Sequence, residues 1–266
     1  MQRRAMFAAL LATPALAQVL DRPARIIIGF PPGGSLDLVA RLYAEQLRGR
    51  YAPQMLVESR SGAGGRLAVE AVKAAAPDGA TMLITPASVM TLHPHIFPQQ
   101  MRYDAAADFI AVTALCDIAF ALVVAPGHPA RDAAGFVQWA QAQPGPISYG
   151  LPSAGSSAHF AGMRMAETLG VRMTDVPYRG TAPILTDLMG GQIPAAVLPL
   201  GGVPPLHREG RVRILGVTAS RAMGSMPDVR SFAEQGWRDL VVDGIRLSVL
   251  PATPGLAGLP TACPLP

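Results

Sequence analysis

The sequence predicts an α/β protein, and three observations carry that prediction. A β-branched run, Ile26-Ile27-Ile28, enters the glycine turn Pro31-Pro32-Gly33-Gly34 and passes directly into a helical segment. Strand-like and helix-like segments continue to alternate along the chain, the pattern that layers helices against a sheet. Half of the 266 residues are apolar, enough to bury a core or two smaller ones.

In the first helix, Leu36, Val39, Ala40, Tyr43 and Leu47 recur at spacings of three and four and so share one face. Ser35 is the expected N-cap, and Asp37 sits in the first turn, where the dipole favours a negative charge. A strand is expected over 55–58, then a glycine turn and a helix over 67–75. Pro77-Asp78-Gly79 is a turn by composition, and a strand over 81–84 ends at Thr85-Pro86-Ala87-Ser88. Two apolar runs, 109–115 and 119–124, read as separate segments. A helix over 136–142 is ended by Pro144-Gly145-Pro146, and a strand over 147–150 leads into the loop 151–156. The next helix, 157–169, sets Phe160, Met163, Ala166 and Leu169 on one face, with Gly170 at its C′ position. After a strand over 174–176, Thr181 is expected to cap a helix beginning near Pro183 and stopping at Gly190-Gly191. The run 212–218 is a further buried strand.

The first residues, MQRRAMFAALLATPALA, have the parts of a secretory signal. These are a charged start at Arg3-Arg4, an apolar stretch too short to span a bilayer, and a small-residue cleavage site before Gln18. The net charge is +4, Lys73 is the sole lysine, and the arginines are scattered rather than interleaved with aromatics, which argues against nucleic acid and suits a small anion. Cys116 and Cys263 have no zinc-type spacing, and their separation assigns no disulfide.

Enzyme motifs fail on inspection. Gly62-Ala63-Gly64-Gly65 follows a strand, but the third glycine of a dinucleotide fingerprint would fall at Leu67. No G-x-S-x-G elbow and no P-loop is present, and His93-Pro94-His95 lacks a neighbouring carboxylate pair. No nucleophile–base pair stands out for a cleft-bearing hydrolase or transferase. Three loop-to-helix junctions recur instead, over 30–37, 150–159 and 178–183. Each places Gly, Ser or Thr before a helix start, where main-chain N–H groups and the dipole favour an anion.

The stretch 25–47 resembles the first strand, loop and helix of the Bug-type solute receptors, the extracytoplasmic binding proteins of tripartite tricarboxylate transporters. Five later segments match the same family in order: 57–65, 76–79, 149–159, 176–180 and 226–229. The resemblance implies a two-lobed, type II periplasmic-binding-protein fold with two chain crossings. Its implied divisions are a signal peptide over 1–17, a first lobe over 18–117 plus 222–266, and a second lobe over 118–221. The first crossing is expected near 109–124 and the return at 212–218. The family carries a long helix after residue 237, which the prolines of 249–266 exclude here, so a shortened or altered C-terminal part is expected.

The function implied is capture of a small organic acid or amino acid between the lobes. No cofactor is implied. The ligand would pass to the permease subunits of a tripartite transporter, and the receptor would be periplasmic and monomeric. A sensor handing its ligand to a signalling protein needs the same lobe closure. By resemblance, Phe30 and Pro31 form an apolar wall and Gly33 and Gly34 give main-chain contact. Thr85 and Ser88 lie on a third cleft loop, and Tyr178 and Arg179 on a fourth. Gly155, Ser156 and Ser157 meet the ligand's other end. Asp37 is either a water-mediated ligand contact or a helix-start charge. Ser156 and Ser157 are caps or donors. His159 matches a family histidine and is structural or in contact. Arg179 attracts the ligand or faces solvent.

Overall fold

The structure, a computed structural model, describes residues 20–222, 224 and 226–251. The signal segment, the proline-rich 252–266 and Cys263 lie outside the described residues. The chain runs β1 (Ala24–Ile28), α1 (Ser35–Leu47), β2 (Met55–Ser59), α2 (Arg66–Lys73), β3 (Thr81–Pro86), α3 (Ala87–Thr91), α4 (His93–Ile96) and β4 (Phe109–Val124). It continues through α5 (Ala133–Gln141), β5 (Ile147–Leu151), α6 (Ser157–Leu169), β6 (Met173–Pro177), α7 (Thr181–Met189), β7 (Ala195–Pro199), α8 (Pro204–Arg208), β8 (Arg213–Val217) and β9 (Asp243–Pro251).

Strand order is β2-β1-β3-β9-β4-β7-β5-β6, with β8 also on β4. β1 pairs in parallel with β2 and β3, and β5 with β6 and β7. The sixteen-residue β4 unites two lobes: 109–119 pair antiparallel with β9, while 120–124 pair with β7 and β8. The two apolar runs expected as separate segments are therefore one strand. Asp117 interrupts them in sequence but points to solvent, so its charge costs the strand little.

β4 makes the outward crossing and β9 the return. The return expected at 212–218 falls instead on β8, which stays within the second lobe beside β4. Residues 222–242 were expected with the first lobe, yet Met226 and Val229 pack with Ala121 and Val123, and Phe232 and Leu240 with Phe120 and Leu122. The chain thus remains in the second lobe until β9 carries it back.

Each half-sheet is covered on both faces, which explains why Ile26-Ile27-Ile28 of β1 run apolar without alternation, Arg25 alone being exposed. Ile26 and Ile28 face Leu36, Ala40 and Ala44 of α1, while Ile27 faces Ala68, Val69 and Val72 of α2. All three isoleucines are essentially fully buried, and each side chain contributes roughly 2–3 kcal/mol of burial.

Two caps and one helix face differ from expectation. The N-cap of α1 is Gly34, and Ser35 is already the first helical residue. α7 starts at Thr181 with Gly180 as its cap, two residues before Pro183. On α6 the buried face is Ala158, Ala161, Gly162, Met165 and Leu169, and Phe160 and Met163 are exposed. A small residue is needed at Gly162 because Tyr149 of β5 packs against the helix there: a Cβ would stand 2.4 Å from the Tyr149 ring. Gly170 ends α6 in the left-handed conformation, φ 65°, as expected.

Candidate functional site

The lobes meet at a cleft into which three substantial helices point their N-termini. Gly34, Ser35 and Leu36 of α1 face Ser156, Ser157 and Ala158 of α6 and Gly180, Thr181 and Ala182 of α7 around an inner chamber of about 60 Å³. Phe30 and Pro31 close one side, and Ser88 and Pro86 another. The back wall comes from the crossing strands, through Ile118, Phe120, Pro199 and Gly244. Among the described residues, no charged side chain lines this chamber. Its favourable field for an anion therefore comes from main-chain dipoles.

Gly34 matters for shape. Its backbone is ordinary, φ −82° and ψ 171°, and a Cβ there would find only the Pro31 carbonyl oxygen at 3.7 Å. Its lack of a side chain keeps the chamber open. Ser88 is buried and lines the chamber, and among the described residues its Oγ has no hydrogen-bond partner. A buried hydroxyl in that state costs free energy until something pairs with it.

Ser156 is the cap of α6: its Oγ accepts from the His159 amide at 3.3 Å and donates to the Ser153 carbonyl at 2.7 Å. His159 stands behind this loop, with Nδ1 accepting from the Gly155 amide at 3.2 Å and Nε2 3.7 Å from Asp175. Gly155, φ +70°, packs against Phe97 across the lobes, so a Cβ there would stand 2.8 Å from that ring.

Asp37 takes the helix-start role of its two alternatives. Its Oδ2 accepts from the Gly33 amide at 3.0 Å and from Arg41 Nε at 2.9 Å. Burial pushes its carboxyl up, but the bonds from Arg41 and Gly33 outweigh that and hold it below its ordinary value. Gly33, at φ +82°, spends its N–H on that bond. Gly33, Asp37, Thr85, Gly155 and His159 thus stand outside the chamber walls, whereas Phe30, Pro31, Gly34, Ser88, Ser156 and Ser157 form part of them.

Tyr178 and Arg179 line a second, outer chamber of about 440 Å³ with Ser61, Gly64 and Ser153. The Tyr178 hydroxyl donates to Asp187 at 2.7 Å; burial, then that bond, push it up to about 12. The wall residues Ile118, Phe120, Pro199 and Gly244 had no sequence signal, because strand pairing far along the chain brings them in. Among the described residues, no group of three His, Cys, Asp or Glu side chains is placed to hold a metal ion. The His93-Pro94-His95 pair is split between a buried and an exposed ring.

Residues 39–253 match the model of the tripartite tricarboxylate transporter family receptor. The chain belongs to this family. A UPF0065 protein of Bordetella bronchiseptica is 31% identical over 214 residues, which cover 80% of this chain; the match spans 63% of that relative's length. Among solved structures, Rhodopseudomonas palustris Rpa4515 with adipate aligns with a TM-score of 0.80 at 27% identity, covering 86% of this chain and 77% of that one. MatC from the same organism, with bound malate, aligns at 0.77 and 28%, covering 86% and 78%. A periplasmic transporter and the periplasmic binding protein BugD also align, with TM-scores of 0.81 and 0.78, in keeping with the two-lobed periplasmic-binding-protein architecture expected from the sequence.

Proposed function

We propose that this family member is an extracytoplasmic receptor that captures a small carboxylate between its lobes and delivers it to the membrane subunits of a tripartite transporter. The observation that carries the reading is the convergence of the α1, α6 and α7 N-termini on one chamber that, among the described residues, bears no charged side chain. Such a chamber holds a carboxylate by main-chain amides and dipole ends. The unpartnered Ser88 hydroxyl supports it, since a ligand oxygen would satisfy that group. The adipate and malate in two structural relatives are acids of the same chemical kind. With these loops serving binding, the protein has no catalytic step, and its site is periplasmic once the N-terminal segment has directed export.

The ligand-contacting set in this reading is Phe30, Pro31, Gly34, Ser88, Ser156 and Ser157, with Gly33, Asp37, Gly155 and His159 holding the loops behind them. The lobe boundaries it uses are 20–119 with 243–251 for the first and 120–242 for the second, following the cores and the strand register. Calorimetric titration of the full chain with a panel of mono- and dicarboxylates is the test. Saturable one-to-one binding of at least one acid, without chemical change to it, is expected. Silence across the panel overturns the reading.

A further inference from the structure

The start of α6 carries a variant of the capping box. In the usual box a serine cap accepts from the amide three residues on, and a Glu or Gln at that third position reaches back to the amide of the cap. Here Ser156 Oγ accepts from the His159 amide at 3.3 Å. The side chain that reaches back is an imidazole, and it goes one residue further: His159 Nδ1 accepts from the Gly155 amide at 3.2 Å. An accepting ring nitrogen carries no proton, so the neutral ring holds its hydrogen on Nε2. Nε2 lies 3.7 Å from Asp175 Oδ2, whose negative charge favours the same tautomer. A glutamine box is permanent. This one can be undone, because an imidazolium offers two donors and no acceptor.

The turn held in this way touches the other lobe. Gly155, at φ +70°, lies against the end of α4: a Cβ on it would stand 2.8 Å from the Phe97 ring and 3.5 Å from Ile96 Cδ1. Two residues earlier, Ser153 meets the first lobe at Gly64, where a Cβ would stand 2.9 Å from Ser153 Oγ. Phe97 is itself fixed, with Arg66 Cζ 4.7 Å over its ring and His93 edge-on at 5.4 Å. The shape of the Gly155 turn therefore decides how the lobes meet here, and the next two residues, Ser156 and Ser157, line the inner chamber.

The titratable and charged groups placed around this turn are Asp175 from β6, Tyr149 in register with it on β5, and His93 and Arg66 against Phe97 in the first lobe. Burial, then Asp175, push Tyr149 up to about 12; burial, then Arg66, lower His93 to about 4. Neither changes charge between about pH 6 and 8, where histidine is the side chain that ordinarily does.

We propose that His159 is a positioning residue for acid capture: its neutral ring, oriented by Asp175, holds the Gly155 turn in the shape that meets Phe97, and protonation of the ring frees the turn and loosens closure. The effect on affinity rests on the receptor reading above; the effect on the turn rests on the loop geometry alone.

The test uses the full chain and its H159N, H159Q and D175A variants. Nitrogen-15 NMR of the imidazole should show the Nε2–H tautomer in the native chain and a rise in Nδ1–H in D175A. The Gly155 amide shift should titrate with the same midpoint as the His159 ring. An Nδ1–H ring in the native chain, or a Gly155 amide indifferent to the ring's titration, overturns the assignment. Calorimetry with malate reads the consequence. Native affinity should fall at least about fivefold as pH drops through that midpoint, the scale of leaving one amide unpaired. Asparagine keeps an acceptor near the Nδ1 position and does not titrate, so H159N should lose only what malate's own titration takes. H159Q, whose amide reaches the Nε2 position instead, should bind weakly at every pH. If H159N loses affinity with pH as the native chain does, the positioning role falls and the receptor reading stands. If neither malate nor any other acid binds, the receptor reading falls with the effect on affinity, and the NMR midpoints alone decide the role in the turn.

Discussion

The Gly33 amide donates to the carboxylate of Asp37, four residues on, at 3.0 Å, and this bond folds the first cleft loop back onto the start of α1. Asp37 is 5% exposed, and its second oxygen has no partner. The residue therefore works through Gly33 and Arg41 rather than through solvent. Asp37→Ala should cost about 1–2 kcal/mol in urea unfolding at pH 7, most of it from the turn bond, because Arg41 is largely exposed and its pairing is screened. The folded carboxyl titrates below its ordinary 3.8, so its stabilisation is complete above that pH and fades as pH falls through the folded value. The stability gap between variant and native chain should accordingly narrow below pH 3.8. A constant gap down to about pH 2 would show that charge plays no part.

Gly34 allows an unusually clean separation of binding from folding. Its φ and ψ suit any residue, and a Cβ meets nothing closer than 3.7 Å. Gly34→Leu should change the melting temperature little, because the freedom lost by the unfolded chain offsets the poorer N-cap that leucine makes at this position. The isobutyl group would occupy the inner chamber, so acid binding should weaken by at least about a hundredfold. A leucine variant that still binds by calorimetry would place the ligand elsewhere.

His93 is fully buried on α4, with neither ring nitrogen hydrogen-bonded. Burial, aided by the Arg66 charge, lowers it from 6.5 to about 4. The unfolded chain takes up this proton near pH 6.5 and the folded chain only near 4, so stability is full above 6.5, declines as pH falls, and levels off below 4. The loss totals roughly 3 kcal/mol at about 1.4 kcal/mol per unit. His93→Leu should flatten urea midpoints across that window. His128, which burial and Arg213 also lower, contributes to the slope that remains.

The cleft loops were legible because their signals are local. Gly, Ser or Thr just before an apolar-periodic helix marks a helix start in sequence, although the caps of α1 and α7 are Gly34 and Gly180, one residue before the Ser35 and Thr181 expected. The back wall was not, because Phe120 and Gly244 meet only through β4–β9 pairing between segments more than a hundred residues apart. The α6 face misled for another reason. Hydrophobicity singled out Phe160 and Met163, while close approach to Tyr149 demanded Gly162. Periodicity reports which residues are greasy, and packing against a large ring selects which are small. Likewise, Asp37 could be placed in a first turn from sequence, but its bond to Gly33 depends on a positive φ that only coordinates show.

Gly180 stands directly against Pro31 across the cleft: a Cβ there would lie 2.9 Å from Pro31 Cδ. Its backbone, φ +105° and ψ −179°, is also one that only glycine adopts readily. Gly180→Ala therefore combines two penalties with different consequences. The backbone strain is present whether the lobes are apart or together and should lower the melting temperature. The clash with Pro31 exists only when the lobes meet, so it should weaken acid binding by about tenfold, because closure must then be driven against it. Pro31→Ala removes the obstructing ring carbons without touching the strain. The double variant should regain affinity relative to Gly180→Ala alone while its melting temperature stays low. If instead affinity and melting temperature recover together, or neither does, the two residues are not the point at which the lobes close on the ligand.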